Sequence, residues 1–488
     1  MKKQIGIMLI LLATGLSAIA QNERDAFRYA QYSPTGTARY TSLAGSMGAF
    51  GSDFSGLSAG NPASIGLFKR FEFTLTPSLS CNRNSSVYNG EEQNGVNYKF
   101  SLNNLGLIFI IGSPSETKWK KIHFATGLNN LARYDGTTIV SGLNDGNIEG
   151  TTNFFDYVAS SANGTPFTSL DGFAGDAFYC WLIDTIPGTY NQYYSRVGDH
   201  FNQELIRESS GSLNEYVFSF GGNYDDKLFI GGTLGIPFFN YHQKATYTES
   251  RNAFYDTLVI YDEFRSKATG FNLKLGIIYQ PIEYLRLGAT FYTPTIYPKV
   301  QESYQYLIDV LGVEPVPDSI YNLYGGSEDI GRFNYQLRTP YHAMASVAFI
   351  YKSLGFINVD YEYVDYTTSD LQSNSYNFGN ENKNIKNFYR GTHTIRAGLE
   401  LFLSPVALRL GYAYSSNPYN NVERDGSRQI ISGGIGIKGK ILFADLAYSY
   451  RFTKDNDVFY ADPSINPYTN QITNHFFSLT LGCKIGGK

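Results

Sequence analysis

The segment Gly56-Leu57-Ser58-Ala59-Gly60 has the spacing of a nucleophile elbow. In that device a serine sits on a sharp turn between a strand and a helix, within reach of a histidine. Here the flanks are a glycine-rich coil and Asn61-Pro62, so the required context is missing and Ser58 reads as a small structural residue. Gly434-Ile435-Gly436-Ile437-Lys438-Gly439 matches a phosphate-cradling pattern that needs a helix after it. This copy runs from strand to strand, so Gly434 and Gly436 read as small residues facing an interior. The six histidines (123, 200, 242, 342, 393 and 475) show no metal-ligand spacing. Asp455-Asn456-Asp457 offers acids for a loose calcium contact, but a solvated acidic turn is the simpler expectation. No catalytic residue and no metal site is assigned, and the chain reads as a non-enzyme without a cofactor.

The remaining charges, Arg396, Glu400, Arg409, Asp445 and Arg451, lie among small residues on one face of alternating segments. Val406, Leu408, Leu410, Tyr412 and Tyr414 alternate with Ala407, Arg409, Gly411, Ala413 and Ser415. That period of two is a strand with one apolar face. Similar runs cover about 70–82, 98–111, 121–135, 213–224, 227–243, 268–280, 283–297, 336–350, 354–368, 389–403, 406–416, 428–438, 440–453 and 473–485. Many exceed the usual strand of about five or six residues and suit a tilted bilayer crossing. Their connections alternate between short (281–282, 404–405, 439) and long (83–97, 136–212, 298–335). Short turns at one end and long loops at the other mark a transmembrane antiparallel β-barrel of about 14 strands. The lumen charges then read as a lattice of salt bridges and hydrogen bonds holding whatever plugs the barrel. In the longest loop, Phe173, Ala177, Phe178, Trp181 and Leu182 recur at helical spacing, which predicts a helical lid within 136–212.

Composition agrees with a barrel. The 488 residues include 40 Tyr, 35 Phe and 49 Gly, with only 17% charged residues. A mean hydropathy of -0.24 does not exclude a membrane protein, because barrel strands show lipid only every other residue. The net charge of -4 argues against nucleic acid as a partner. A basic start, an apolar run from Ile5 to Leu16 and Ala18-Ile19-Ala20 predict a signal peptide over 1–20. Three cysteines, Cys81, Cys180 and Cys483, define no framework, and a Cys81–Cys180 bridge stays open.

Residues 21–69 differ from everything after them. Between Gly45 and Ala63 the chain is dominated by glycine, alanine and serine, which form a poor helix or strand and a good compact coil. A small-residue coil ahead of a closed sheet predicts a hatch inside the lumen. Gly48-Ala49-Phe50, Asp53, Ser55 and Asn61-Pro62-Ala63 resemble the hatch of the FadL-type transporters of bacterial outer membranes. The resemblance implies passive movement of hydrophobic, long-chain fatty acid-like compounds across the cell outer membrane by a monomer in contact with outer-membrane lipid. It implies capture at outer loops, for which Phe173, Phe178 and Trp181 are the candidates. A ligand pocket would then draw on Phe27, Tyr29, Phe50 and Phe54. Sideways exit would use a kink in the third strand, where Gly127, Asn129 and Asn130 break alternation. The alternative is a structural or adhesive barrel whose plug is inert.

Overall fold

A period-two pattern places Leu410 outside, 63% exposed, and its neighbour Arg409 inside, 2% exposed. The same alternation repeated around a closed sheet builds the molecule. The computed structural model describes residues 23–486, apart from 52, 112–116, 145–153, 171, 199, 251–255, 312–330, 352–353, 422–423 and 460–466. The expected signal peptide lies outside the described residues.

Fourteen staves form the wall. They are β1 (Phe71–Tyr88), β2 (Glu91–Ile111), β3 (Trp119–Arg133, resuming as Gly136–Asn144), β4 (Phe201–Tyr224) and β5 (Leu228–Ser250). Next come β6 (Thr257–Thr269 and Asn272–Ile282), β7 (Leu285–Tyr292 and Ile296–Leu311), β8 (Gly331–Arg338 and His342–Tyr351) and β9 (Gly355–Asp365). The last five are β10 (Gly391–Leu403), β11 (Val406–Ser415), β12 (Arg428–Lys438), β13 (Leu442–Asp457) and β14 (Tyr468–Ile485). Each pairs antiparallel with the next, and β14 returns to β1 from Phe71↔Ile485 up to Val87↔Thr469. Closure leaves no sheet edge at the seam between first and last strands, as a bilayer requires.

Several staves outrun their sequence pattern at the outer end. Residues 83–97 are not a loop: β1 and β2 continue to a two-residue turn at Asn89-Gly90, both with positive φ. Residues 136–144 are strand as well, and β4 starts at Phe201 rather than near 213. Above the lipid both faces of a strand meet water or the lid, so alternation fades, as in Glu204-Leu205-Ile206-Arg207-Glu208.

The hatch fills the lumen with three short helices, α1 (Glu23–Ala30), α2 (Ala38–Ser42) and α3 (Phe54–Ala59), and a 3₁₀ turn over Pro62–Leu67. Capping chemistry sets each start. Thr37 accepts from the Tyr40 amide, Asp53 from Ser55 and Asn61 from Ala63, with Pro62 at the first turn position. Tyr29, Tyr40, Leu43, Met47 and Phe54 are all buried. The outer lid carries α4 (Phe154–Ala162) and α5 (Gly172–Tyr179), packed through Phe155, Val158, Ala177 and Leu182 against Tyr88, Tyr247 and Ile308 of the wall.

Candidate functional site

The hatch meets the wall where one strand pairing stops. Pairing of β2 with β3 runs from Ile111↔Ile122 to Asn104↔Asn129 and ends there. Beyond it, β3 bulges between Asn130 and Ala132 against β4 and breaks at Tyr134-Asp135. Its upper half turns inward over β1 and β2. Asn82 Nδ2 donates to the Asp135 carbonyl at 2.7 Å, and Asn84 Nδ2 donates to Thr138 Oγ1 at 2.7 Å. The β3 carbonyls that β2 no longer reaches are taken by the hatch. Thr35 Oγ1 donates to Asn130 O at 2.8 Å, and the Ser33 amide donates to Leu131 O at 2.8 Å. Ser55 Oγ donates to Asn129 Oδ1 at 2.9 Å.

Above this seam lies a cavity of about 740 Å³ bounded by α1, the lid and the upper wall. Its apolar lining includes Phe27, Phe173, Tyr241, Phe264, Tyr389 and Tyr419. Phe27 stacks on Tyr389 at 4.6 Å and meets Tyr366 edge-on at 4.8 Å. The cavity reaches Ser80 and Asn82 on β1 and Arg133 on β3, beside the seam. A second cavity of about 840 Å³ opens below the hatch, among the short turns, and is rich in lysine.

No family model matches the sequence, and no curated protein matches it. Solved structures do. A FadL homologue of Pseudomonas aeruginosa superposes with a TM-score of 0.55 at 12% identity, covering 94% of this chain and 100% of that one. The toluene transporter TbuX of Ralstonia pickettii gives 0.51 at 13% identity, with 94% and 100% covered. The toluene transporter TodX of P. putida gives 0.51 at 11% identity, with the same coverage. This chain has the FadL-type fold.

Within that fold, polar groups on the wall grip the hatch from several sides. Gly48 N donates to the Asp360 carboxylate at 3.2 Å, and a Cβ there would fall 2.0 Å from Ser346 Oγ, so only glycine fits. Asn61 Nδ2 donates to Gly48 O at 2.8 Å and to Ile277 O on β6 at 3.1 Å. Arg39 Nε donates to Glu400 Oε2 at 2.8 Å, and Glu400 is also held by Arg409 Nε at 2.7 Å and Lys438 Nζ at 3.1 Å. Arg409 Nη1 continues to Asp445 at 2.6 Å, and Arg396 pairs with Glu362. Glu400, Arg409 and Asp445 therefore form one linked network that reaches the hatch through Arg39, and Arg396 stands in a separate pair with Glu362. Arg451 holds the hatch by a hydrogen bond, donating to the Pro34 carbonyl at 3.1 Å.

A second tether was missed by sequence reasoning. Lys274 Nζ donates to both Glu215 oxygens, at 2.7 and 2.5 Å, and to the carbonyl of Ser58 at 2.6 Å. Ser58 Oγ in turn donates to Glu215 Oε2 at 2.5 Å. Lys274 and Glu215 side chains have no solvent exposure. Ser58 is thus a hatch anchor and not a nucleophile. The one available signal was a lysine inside the apolar run Leu273-Lys274-Leu275.

The predicted site residues separate by location. Of the four pocket candidates, Phe27 lines the outer cavity. Tyr29 is buried in a stack on Phe239 at 3.8 Å. Phe50 stacks on Phe356 at 3.5 Å and lines the lower cavity. Phe54 is packed with Leu57, Ile65, Ile108 and Val217. Gly127 pairs with Gly106, and both lie under the Phe54 ring, so Gly127 makes room for the hatch. Asn129 and Asn130 sit at the end of the β2–β3 pairing. Phe173 lines the cavity, Phe178 packs inside the lid, and Trp181 stands on the outer surface, 59% exposed, beneath Arg196. Ala63 is buried at the start of the 3₁₀ turn.

Asp455 and Asp457 do not form a solvated turn. They lie on β13, paired with Arg424 and with Arg24 and Arg207. Among the described residues no acid, histidine or cysteine cluster fits a metal ion. All three cysteines are free, so Cys81 and Cys180 are not bridged. Burial, with Asp176 nearby, pushes the Cys180 thiol in the lid up to about 12.

Proposed function

We propose that this protein is a passive outer-membrane conduit for hydrophobic compounds, including long-chain fatty acid-like amphiphiles. The observation that carries the reading is the aromatic cavity beside the unpaired stretch of β2. A greasy solute is dehydrated under the lid against Phe27, Phe173 and Tyr389, which favours binding by about 25 cal/mol per Å² of apolar surface removed from water. Hatch segment Ser33–Thr35 occupies the edge of β3, so its movement would free the seam. Exit is sideways between β2 and β3 into lipid, at Asn129 and Asn130. The structures named above as toluene transporters, with the same fold, support hydrophobic cargo. The conduit works as a monomer, needs no cofactor, and sits in the outer membrane after removal of residues 1–20.

Uptake of radiolabelled oleate by cells expressing the chain is the test, against cells expressing an unrelated porin at equal level. Faster uptake is expected. Equal rates would support the inert structural barrel instead.

A further inference from the structure

Among the described residues, eight arginines and four aspartates line the outer cavity. Six of those arginines have carboxylate partners: Arg28 with Asp25, Arg24 and Arg207 with Asp457, Arg133 with Asp135, Arg396 with Glu362 and Arg424 with Asp455. Arg428 and Arg451 have none among the described residues. They stand diagonally on adjacent staves, since Arg428 pairs with Thr453 and Arg451 with Ile430. Such diagonal neighbours lie roughly 7–8 Å apart at the backbone, close enough for both guanidiniums to reach one group.

Their present partners are neutral. Arg451 Nη2 donates to Pro34 O at 3.1 Å and Nε to Ser449 Oγ at 3.4 Å, with the guanidinium 4.7 Å from the centre of the Phe476 ring. Arg428 Nη1 donates to Gln31 Oε1 at 3.2 Å. Two neighbouring cations without counter-charge, half-buried in one wall, are an arrangement that an anion stabilises. Each guanidinium offers a planar fork suited to phosphate or carboxylate oxygens. Two positive charges match a phosphate monoester, which carries about -1.5 to -2 at pH 7 and three acceptor oxygens. A single carboxylate leaves one cation uncompensated. The neighbouring aromatic rings give room for an apolar tail.

We propose that Arg428 and Arg451 form an anion subsite for the doubly charged, phosphate-type head of an amphiphile. Filling it draws the two guanidiniums away from Gln31 and Pro34 and loosens the hatch there. Gln31 lies two residues before Ser33, and Pro34 joins Ser33 to Thr35, so the same contacts bear on the hatch segment that occupies the edge of β3. This inference rests on the reading of the cavity as the ligand chamber of a conduit.

The test uses the full chain in phosphatidylcholine nanodiscs with four probes: dodecyl phosphate, dodecanoate, 1-dodecanol and inorganic phosphate. Dodecyl phosphate is expected to bind at least tenfold more tightly than dodecanoate and about a hundredfold more tightly than dodecanol, at about tenfold per charge-assisted contact. In Arg428→Gln with Arg451→Gln that preference falls to near parity. In the unmodified protein, dodecyl phosphate speeds amide exchange over residues 31–36, and dodecanol does not. Equal binding of dodecyl phosphate and dodecanol overturns the anion subsite. Dodecanoate matching dodecyl phosphate overturns the double charge. Inorganic phosphate matching dodecyl phosphate overturns the amphiphile. Unaltered exchange over 31–36 overturns the link to the hatch. If no probe with a tail binds, the conduit reading itself fails. The probe series on the unmodified chain decides these points even where the double variant does not fold.

Discussion

Replacing Lys274 with methionine should release the hatch while leaving the wall closed. The side chain is buried without exposure and makes three contacts, two to Glu215 and one to the Ser58 carbonyl. Its removal strands the Glu215 charge in a dry interior, where breaking a buried pair costs about 3–5 kcal/mol. The wall is held by backbone ladders on both sides of β6, so the loss falls on the contact with α3. At 1.4 kcal/mol per tenfold, opening of the hatch should rise by roughly two to three and a half orders of magnitude. Amide exchange at Gly60, whose N–H bonds to Gly56 O at 3.0 Å, reads that opening. Adding Glu215→Leu removes the stranded charge and should restore most of the protection, because a pair replaced by apolar groups is often near neutral. Exchange at Gly60 within twofold of the unmodified protein in Lys274→Met would refute the reasoning. So would a double variant as loose as the single one.

Gly127→Leu places a Cβ 2.1 Å from the Leu105 carbonyl of β2 and 2.7 Å from the Phe54 ring, so both the local β2–β3 pairing and the Phe54 socket must give way. Loss of a buried phenylalanine costs about 3–5 kcal/mol, and ion conductance in planar bilayers should rise; an unchanged trace would argue against the socket. Deleting Gly48–Asn61 should increase small-solute leakage in liposome swelling, and unchanged permeability would contradict a plug. At pH 8 the Cys180 thiolate fraction is about 10⁻⁴ for a thiol pushed up to about 12. Maleimide should therefore leave Cys180 unlabelled in the folded protein, and prompt labelling found by peptide mass would contradict its burial.

Alternation was legible wherever lipid met one face, as in β10 to β13, because lipid and lumen demand opposite chemistry at successive residues. It faded above the membrane, where Asn89-Gly90 still carried the signature of a two-residue turn amid polar residues. The hatch was legible as a compact small-residue plug, but its helices were not: α3 and the start of the 3₁₀ turn lie within the stretch that reads as coil. Asp53 and Asn61-Pro62 fix helical starts from local contacts alone. Aromatic residues of the hatch were legible as buried but not as lining. Whether Phe54 faces a void depends on Gly106 and Gly127, more than fifty residues away. Long-range charge pairing was likewise hidden. Lys274 and Glu215 stand 59 positions apart, and the solitary state of Arg428 and Arg451 emerges only once the other six arginines of the outer cavity have found their acids.

The length of β4 has a consequence for where a solute is first met. Its 24 residues, at about 3.3 Å each and tilted by about 40°, rise roughly 60 Å, against an apolar band about 25 Å tall. Much of the remainder stands outside, like a chimney above a roof. The mouth therefore samples the surrounding medium well clear of the head groups. On the conduit reading proposed above, traffic would follow the concentration of freely dissolved molecules, not the amount already dissolved in the surrounding leaflet.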